Sequence, residues 1–137
     1  MHHLSPRDSL LLAFADLASH GIETRCAARG SVEDTRGELR EMLEWLFPDG
    51  ARSYAFWTAA DDSAIAHAAA FGGEAVVRLH CSDEWTAEAA RAAIATQSLT
   101  ARPSREPSVV EVVIGPGDAD RTTDAAGSPG QAGLADR

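Results

Sequence analysis

Two adjacent carboxylates, Asp61 and Asp62, form the sharpest polar cluster in this sequence. They follow an apolar strand pattern and precede an alanine-rich stretch, which places them at the start of a predicted helix. Paired carboxylates could bind a metal ion, but no third ligand lies at a suitable spacing, so we predict neither a metal nor any other cofactor. The simpler interpretation is that one of them caps the helix and that both complement its positive end.

The dipeptide His80-Cys81 combines an imidazole with a thiol, the pair that activates the nucleophile in cysteine enzymes. Both residues fall in a predicted strand, where neighbouring side chains point to opposite faces, so they cannot act as a pair. Cys81 could instead meet His20 or His67 from elsewhere in the fold. For Cys26 and Cys81 the simpler interpretation is a reduced, buried thiol that packs as a small apolar group. The Cys and His residues also lack the close spacing of a zinc site.

Arg78 and His80 share one face of the same predicted strand and could hold an anionic group. Neutralisation of this pair by Glu74 or Glu111 is the simpler interpretation. An enzyme or small-molecule site would require the polar and aromatic side chains of this region to converge beside one edge of the sheet. We predict no catalytic residue, and the candidate binding residues of such a site are Tyr54, Trp57, Asp61, Asp62, Arg78 and His80.

The composition narrows the classes of function. The net charge is −9, every cationic side chain is an arginine, and the chain contains neither lysine nor asparagine. Both absences fit a high-GC genome, and without lysine the chain has no Schiff-base nucleophile and no phosphate-loop lysine. An acidic protein lacks the clustered cations that nucleic-acid binding requires, so we expect no nucleic-acid partner. The same charge suits a basic protein partner, or simply solubility.

Length and hydropathy favour one soluble domain. No apolar run reaches the roughly 18 residues that span a bilayer, and the first residues lack a signal-peptide pattern. We therefore expect a cytoplasmic protein without membrane contact. From Gly115 onward the composition shifts to Gly, Asp, Ala, Pro, Ser and Thr, which cannot bury enough apolar surface to offset the entropy of ordering. We predict a domain over residues 4–116 and a disordered tail over 117–137.

Hydrophobic periodicity divides the domain into helices and strands. Caps such as Ser5 and Asp83 mark helix starts, and Gly72 marks a helix end. One amphipathic helix carries an apolar stripe at Leu39, Met42, Leu43 and Leu46. In the last helix Trp85, Ala89, Ala92 and Ala93 fall on one side. Strands are predicted at 22–27, 54–57, 75–81, 99–102 and 109–114.

These elements predict a mixed α/β fold, α+β-like, in which helices pack on a four- to five-stranded mixed sheet. Residues 54–57 carry apolar side chains on both faces, as in a central strand covered on both sides. The segment from Tyr54 to Leu79 is long enough for a crossover between parallel strands, and the last two strands should form an antiparallel hairpin. The tryptophans occupy apolar-patterned positions and are predicted to be core or interface anchors: Trp45, Trp57 and Trp85.

Several short motifs are similar to those of one family. Residues 13–22, AFADLASHGI, match an AF-x-x-L-x-x-x-GI pattern, and residues 52–56, RSYAF, are similar to RGY-x-F. The acidic pair at 61–62 and the Gly-Gly-strand unit at 72–79 follow in the same order. In these features the chain resembles the actinobacterial family called domain of unknown function 6891, over most of residues 9–114. The resemblance implies the fold above and no particular activity.

We predict from these observations a non-catalytic protein-interaction or regulatory module. The prediction depends on the lack of a nucleophile–base pair, of metal-ligand spacing and of a phosphate loop. Its specific version is an immunity-type protein that neutralises a basic toxin. The alternative is a small-molecule-binding domain or an enzyme with a pocket near Tyr54, Trp57, Asp61, Arg78 and His80. Enzymatic activity, the identity of the protein partner and the oligomeric state stay open at this point.

Overall fold

The computed structural model describes residues 5–50 and 52–115. It places helices on both faces of a mixed sheet, an α+β arrangement that confirms the predicted fold class. The helices are α1 (Pro6–Ser19), α2 (Val32–Leu46), α3 (Ala59–Phe71) and α4 (Glu84–Thr96). The strands are β1 (Glu23–Ala28), β2 (Tyr54–Thr58), β3 (Ala75–Cys81), β4 (Thr100–Pro103) and β5 (Val109–Ile114). The predicted tail at 117–137 lies outside the described residues.

The five strands form one sheet in the order β1-β2-β3-β5-β4. Strands β1 and β2 are parallel and are joined through α2, whereas every other neighbouring pair is antiparallel. The predicted hairpin at the end of the domain is confirmed, since β4 pairs antiparallel with β5 and Arg102 lies opposite Glu111. Strands β1 and β4 lie one residue later than predicted, whereas β5 has the predicted bounds.

The predicted parallel crossover between Tyr54 and Leu79 is wrong. Strands β2 and β3 are antiparallel neighbours, and their ladder is short, with Ala55 opposite Cys81 and Phe56 opposite His80. Helix α3 begins directly after β2, without a loop, and contacts β3, where Asp61 accepts the backbone N–H of Arg78. The helix therefore takes the place that a longer β2 would occupy beside β3. The length of the segment permits a crossover, but this direct strand-to-helix continuation sends the chain back antiparallel.

One face of the sheet packs against α1 and α4 in the main core. The alternation predicted for β3 is confirmed there, because Ala75, Val77, Leu79 and Cys81 are all buried in this layer. Other apolar side chains come from β2, β5 and α3, including Trp57, whose ring meets that of Phe14 edge to face with centroids 4.7 Å apart. Such a pair adds about 0.5–1.5 kcal/mol beyond the burial of its area. Trp57 is therefore a core residue.

The opposite face of the sheet is covered by α2 over part of its width. Leu39 and Leu43 of α2 are buried against Tyr54 and Phe56 of β2, together with Ala28. Strand β2 is thus buried on both faces, as its double apolar pattern predicts. No helix of the described ranges is long and apolar enough to cross a membrane.

Each helix begins at a side-chain cap that accepts a backbone N–H three residues further on. Ser5 and Asp83 cap α1 and α4 as predicted. The prediction that Asp61 or Asp62 caps α3 is wrong, because Thr58 Oγ1 accepts the Asp61 N–H at 3.2 Å. Both aspartates lie in the first turn instead, near the positive end of the helix dipole. At the other end of α3, Gly72 has the left-handed φ of 77° that the sequence led us to expect.

Candidate functional site

The candidate binding residues are distributed over both faces of the sheet. Trp57 points into the main core beneath α1, whereas Tyr54, three residues earlier in the same strand, lies on the face that α2 covers. His80 lies opposite Phe56 and shares the face of Tyr54. The sheet therefore separates Trp57 from Tyr54 and His80, and these side chains do not line a common pocket.

Asp62 connects the start of α3 to α1 and to the core. Its Oδ1 accepts a hydrogen bond from Arg7 Nε at 2.8 Å and another from Trp57 Nε1 at 3.3 Å. This ion pair raises the pKa of the Arg7 guanidinium above its ordinary value, mainly through the hydrogen bond and the charge of Asp62. Because the carboxylate satisfies a buried indole and a cation, its contacts are those of a structural group.

Asp61 replaces a missing strand partner. Its Oδ2 accepts the backbone N–H of Arg78 at 2.8 Å. At this position of β3 the neighbouring strand β2 has ended and α3 has begun. A backbone donor at the end of a ladder needs such an acceptor. The Arg78 side chain lies 3.7 Å from Glu111, which also pairs with Arg102 at 2.9 Å. Both Asp61 and Arg78 are thus engaged within the fold.

A cluster around Arg36 on the α2 face contains the other candidates. Arg36 Nη1 donates to Tyr54 Oη at 3.0 Å and to the carbonyl oxygen of Cys81 at 3.1 Å. The ring of His80 stacks on Phe56 with centroids 5.1 Å apart. His80 is 8% exposed, and its Nδ1 has no hydrogen-bond partner among the described residues. Burial lowers the pKa of His80, and the charge of Arg36 lowers it further.

Sequence reasoning missed Arg36, which holds β2 and β3 to α2. No local pattern singles out this arginine, because it lies among exposed charged residues of an amphipathic helix. The one available signal is its position directly after the buried Thr35. A long side chain at the edge of the buried stripe of a helix can extend across the sheet below it. The cluster places the buried imidazole of His80 beside the cation of Arg36, and no carboxylate of the described residues accepts a hydrogen bond from its Nδ1, as the partner of a general base would.

Neither cysteine is positioned as a nucleophile. Cys81 is fully buried in the main core, on the face opposite His80, and burial raises the pKa of its thiol to about 12. Its other possible partners lie elsewhere: His20 is hydrogen-bonded to the Asp16 carbonyl oxygen, and the His67 ring contacts the ring of the exposed Phe71 at a tilt of 41°. The prediction that Cys26 is buried is wrong, because this residue is exposed. It lies in an edge strand whose pairing is irregular between residues 25 and 28.

Desolvation nevertheless raises the pKa of the Cys26 thiol, against the opposing charge of Arg7. The thiol therefore shows none of the depressed pKa that marks a reactive cysteine. Within the described ranges, no group of three or more His, Cys, Asp and Glu side chains is placed to hold a metal ion.

The most unusual surface lies at the end of the molecule where α2 stops. Trp45 is 81% exposed, and the next two residues, Leu46 and Phe47, are 48% and 38% exposed. The predicted apolar stripe of α2 is therefore buried only at Leu39 and Leu43, and its last turn extends past the sheet. The guanidinium of Arg52 lies 3.9 Å from the centre of the Phe47 ring.

The start of α4 adds another aromatic residue to this end. Trp85 is 67% exposed, so its predicted place on the buried side of α4 is wrong; the buried side carries Thr86, Ala87, Ala90, Ala93 and Ile94. Trp85 borders a groove of about 260 Å³ between α1 and α4. Phe47 borders a second groove, of about 410 Å³. Ile22 lines both grooves, so the two adjoin. We call this end of the molecule, which carries Trp45, Leu46 and Phe47 at the end of α2 and Trp85 at the start of α4, the aromatic end.

A further groove, of about 430 Å³, lies at the opposite end of α1. Its walls are mainly alanine, glycine and isoleucine residues from α3 and the end of β5, with Pro6 and Arg7 from α1. Arg7 is already paired with Asp62. This groove therefore offers apolar surface but no free charged group to orient a substrate.

No protein-family model, curated protein or solved structure matches the chain. The resemblance to domain of unknown function 6891 stays a prediction. Function has to be inferred from the geometry of the described residues.

Proposed function

We propose that this chain is a non-catalytic protein-interaction module that binds its partner through the aromatic end. The observation that carries the proposal is the 81% exposure of Trp45, accompanied at the same end by Phe47 and Trp85. Trp45, Leu46 and Phe47 are consecutive and exposed, and large exposed apolar patches mark interaction sites. Tryptophan is also the residue type most enriched among those that dominate binding energy. An immunity-type role is the specific version of this proposal.

The contacts of the candidate binding residues support an interaction module over an enzyme. Asp61 and Asp62 accept hydrogen bonds that complete the sheet and the core, and Arg78 pairs with Glu111. Tyr54 is held by Arg36. A catalytic site needs groups that are free to meet a substrate and that converge on one point. The small-molecule alternative has no comparable convergence of polar groups to support it.

The size of the expected effect follows from the exposed aromatic area. A tryptophan side chain buries about 150–250 Å² when it is fully covered, and most of that area is free at Trp45. Truncation of an interface tryptophan of this kind costs about 2 kcal/mol or more, which corresponds to a roughly thirty-fold weaker complex. Such a change is large enough to remove a partner from a capture experiment.

The test is capture of host proteins on the immobilised full chain, quantified by mass spectrometry. The variant is Trp45→Ala combined with Trp85→Ala, and the matched control is Phe71→Ala. Phe71 is 77% exposed but lies at the end of α3, next to the groove at the opposite end of α1. Circular dichroism checks that each variant keeps the native helix content.

The proposal predicts at least one host protein that the wild type and Phe71→Ala retain and the double variant loses at least ten-fold. Retention of the same proteins by the double variant would overturn it. Equal loss with Phe71→Ala, or no enrichment over an empty support, would also overturn it.

A further inference from the structure

The exposed side of α2 carries a row of acidic side chains that leads to Trp45. Asp34, Glu38, Glu41 and Trp45 are spaced by four, three and four residues, which places them within about 60° of one another around the helix. All four side chains belong to exposed residues. Over this distance the helix rises by about 16 Å, so the row is a continuous strip that ends at the aromatic end.

Most of this charge is not neutralised within the fold. Glu38 pairs with Arg25 at 3.1 Å, but Glu41 and its neighbour Glu44 form no ion pair with any residue in the described ranges. Exposed carboxylates beside exposed aromatic side chains attract cations by their field and hold them over the ring faces. The strip and the aromatic end together therefore form a surface with an anionic side and an apolar side.

We infer that the partner of the aromatic end is a cationic amphipathic segment, with basic side chains along the acidic strip of α2 and an apolar anchor against Trp45. This inference rests on the proposed function and names the chemistry of its partner. Charge complementarity steers association and excludes wrong partners. The overall charge of −9 adds a long-range attraction for a basic protein.

A second copy of this chain is a poorer occupant of the same surface. In a two-fold symmetric dimer the same patch faces itself, so the acidic strips of both copies would be brought together. Like charges across an interface oppose association. Nucleic acid is disfavoured for the same reason, because its phosphates would meet the strip.

The test measures binding of a labelled synthetic helix by fluorescence anisotropy, with the full chain. The probe is an amphipathic peptide of about 14 leucines and lysines, and its counterpart has glutamate at every lysine position. Glu41→Gln combined with Glu44→Gln removes one charge from the strip and one from the residue just before Trp45, and we call it the strip variant. Its matched control, Glu74→Gln combined with Glu106→Gln, removes two charges from other exposed positions without an ion pair among the described residues and leaves the same net charge.

We expect the lysine peptide to bind and the glutamate peptide not to bind. The strip variant and Trp45→Ala should each weaken the complex at least five-fold, and the matched control should weaken it less than two-fold. Binding should also weaken markedly at about 0.5 M salt, where charges are screened within a few ångströms. Equal weakening by the matched control would show a nonspecific charge effect and overturn the inference, as would an unchanged affinity in Trp45→Ala.

The two proposals can fail separately. If the capture experiment yields a Trp45-dependent partner that the strip variant still retains, the interaction module stands and the cationic chemistry is wrong. If sedimentation shows a dimer that Trp45→Ala dissociates, the surface binds a second copy, and the inferred partner is likewise wrong. If the substitution of Trp45 changes the captured amount of no host protein, the proposed function itself is wrong.

Discussion

Replacing Asp62 with alanine tests whether this carboxylate serves the fold. Its Oδ1 accepts the Trp57 indole N–H at 3.3 Å and the Arg7 Nε–H at 2.8 Å. Trp57 has no exposed surface, so the substitution leaves the indole N–H without an acceptor in a buried environment. An enzyme that used Asp62 as a free acid or base would place no such structural demand on it.

The expected loss follows from three contributions. An unpaired buried donor costs about 1–3 kcal/mol. The ion pair with Arg7, whose side chain is 43% exposed, adds at most about 1 kcal/mol because solvent screens it. Removal of a negative charge from the first turn of α3 adds about 0.3–1 kcal/mol. Asp62→Ala should therefore lower the free energy of unfolding by about 2–4 kcal/mol, a large share of the stability of a small domain.

A double-mutant cycle with Trp57→Phe isolates the hydrogen bond to the indole. In the Trp57→Phe background the donor is absent, so Asp62→Ala should cost only about 1–2 kcal/mol. Unfolding in urea is followed by far-ultraviolet circular dichroism, which does not depend on tryptophan fluorescence. Asp34→Ala serves as the control for the helix dipole alone, since Asp34 is an exposed acid in the first turn of α2. An equal cost of Asp62→Ala in both backgrounds would refute the role assigned to the hydrogen bond.

The buried His80 and the two thiols give two further predictions. Burial and the charge of Arg36 lower the pKa of His80 in the folded protein, so the unfolded chain binds the proton more readily. The free energy of unfolding should therefore be highest above about pH 6.5 and decrease below it, by at most about 1.4 kcal/mol per pH unit. Urea titrations between about pH 7.5 and 5.5 should show a smaller pH dependence in His80→Gln than in the wild type, and identical slopes would contradict this. A disulfide-exchange reagent should modify Cys26 in the native protein and Cys81 only after unfolding, because Cys81 is buried and its thiol pKa is about 12. Rapid reaction of both thiols in native buffer would show that β3 opens easily.

Local patterns predicted much of the fold. The alternation of apolar residues at 75–81 predicts β3 and its buried face. The caps Ser5 and Asp83 mark the starts of α1 and α4. These features depend on residues a few positions apart, which the sequence displays directly. The direction of β3 relative to β2 depends instead on how α3 leaves the sheet at Thr58, and no local period encodes that.

The candidate site was harder to predict than the fold. The six candidate residues are close in sequence, but side chains of a strand alternate, so β2 sends Tyr54 and Trp57 to opposite faces. Arg36 reaches Tyr54 across 18 positions of sequence, a contact that only the packing of α2 creates. The sequence did not indicate the aromatic end as a surface, for a different reason. Its residues look like core residues because they are apolar, but Trp45 lies on the exposed side of α2 and Trp85 lies away from the buried side of α4.

The exposure of Trp45 makes the aromatic end suitable for a test of function that leaves the fold intact. Trp45 is 81% exposed and lies beyond the part of α2 that is buried on the sheet, so its substitution should change the free energy of unfolding by less than about 0.5 kcal/mol. A core tryptophan such as Trp57 would instead cost about 3–5 kcal/mol when replaced with alanine. Loss of a partner in Trp45→Ala at unchanged stability would therefore report a lost contact. Such a result would show that the folded domain does not require this side chain, as expected for a residue of the proposed binding surface.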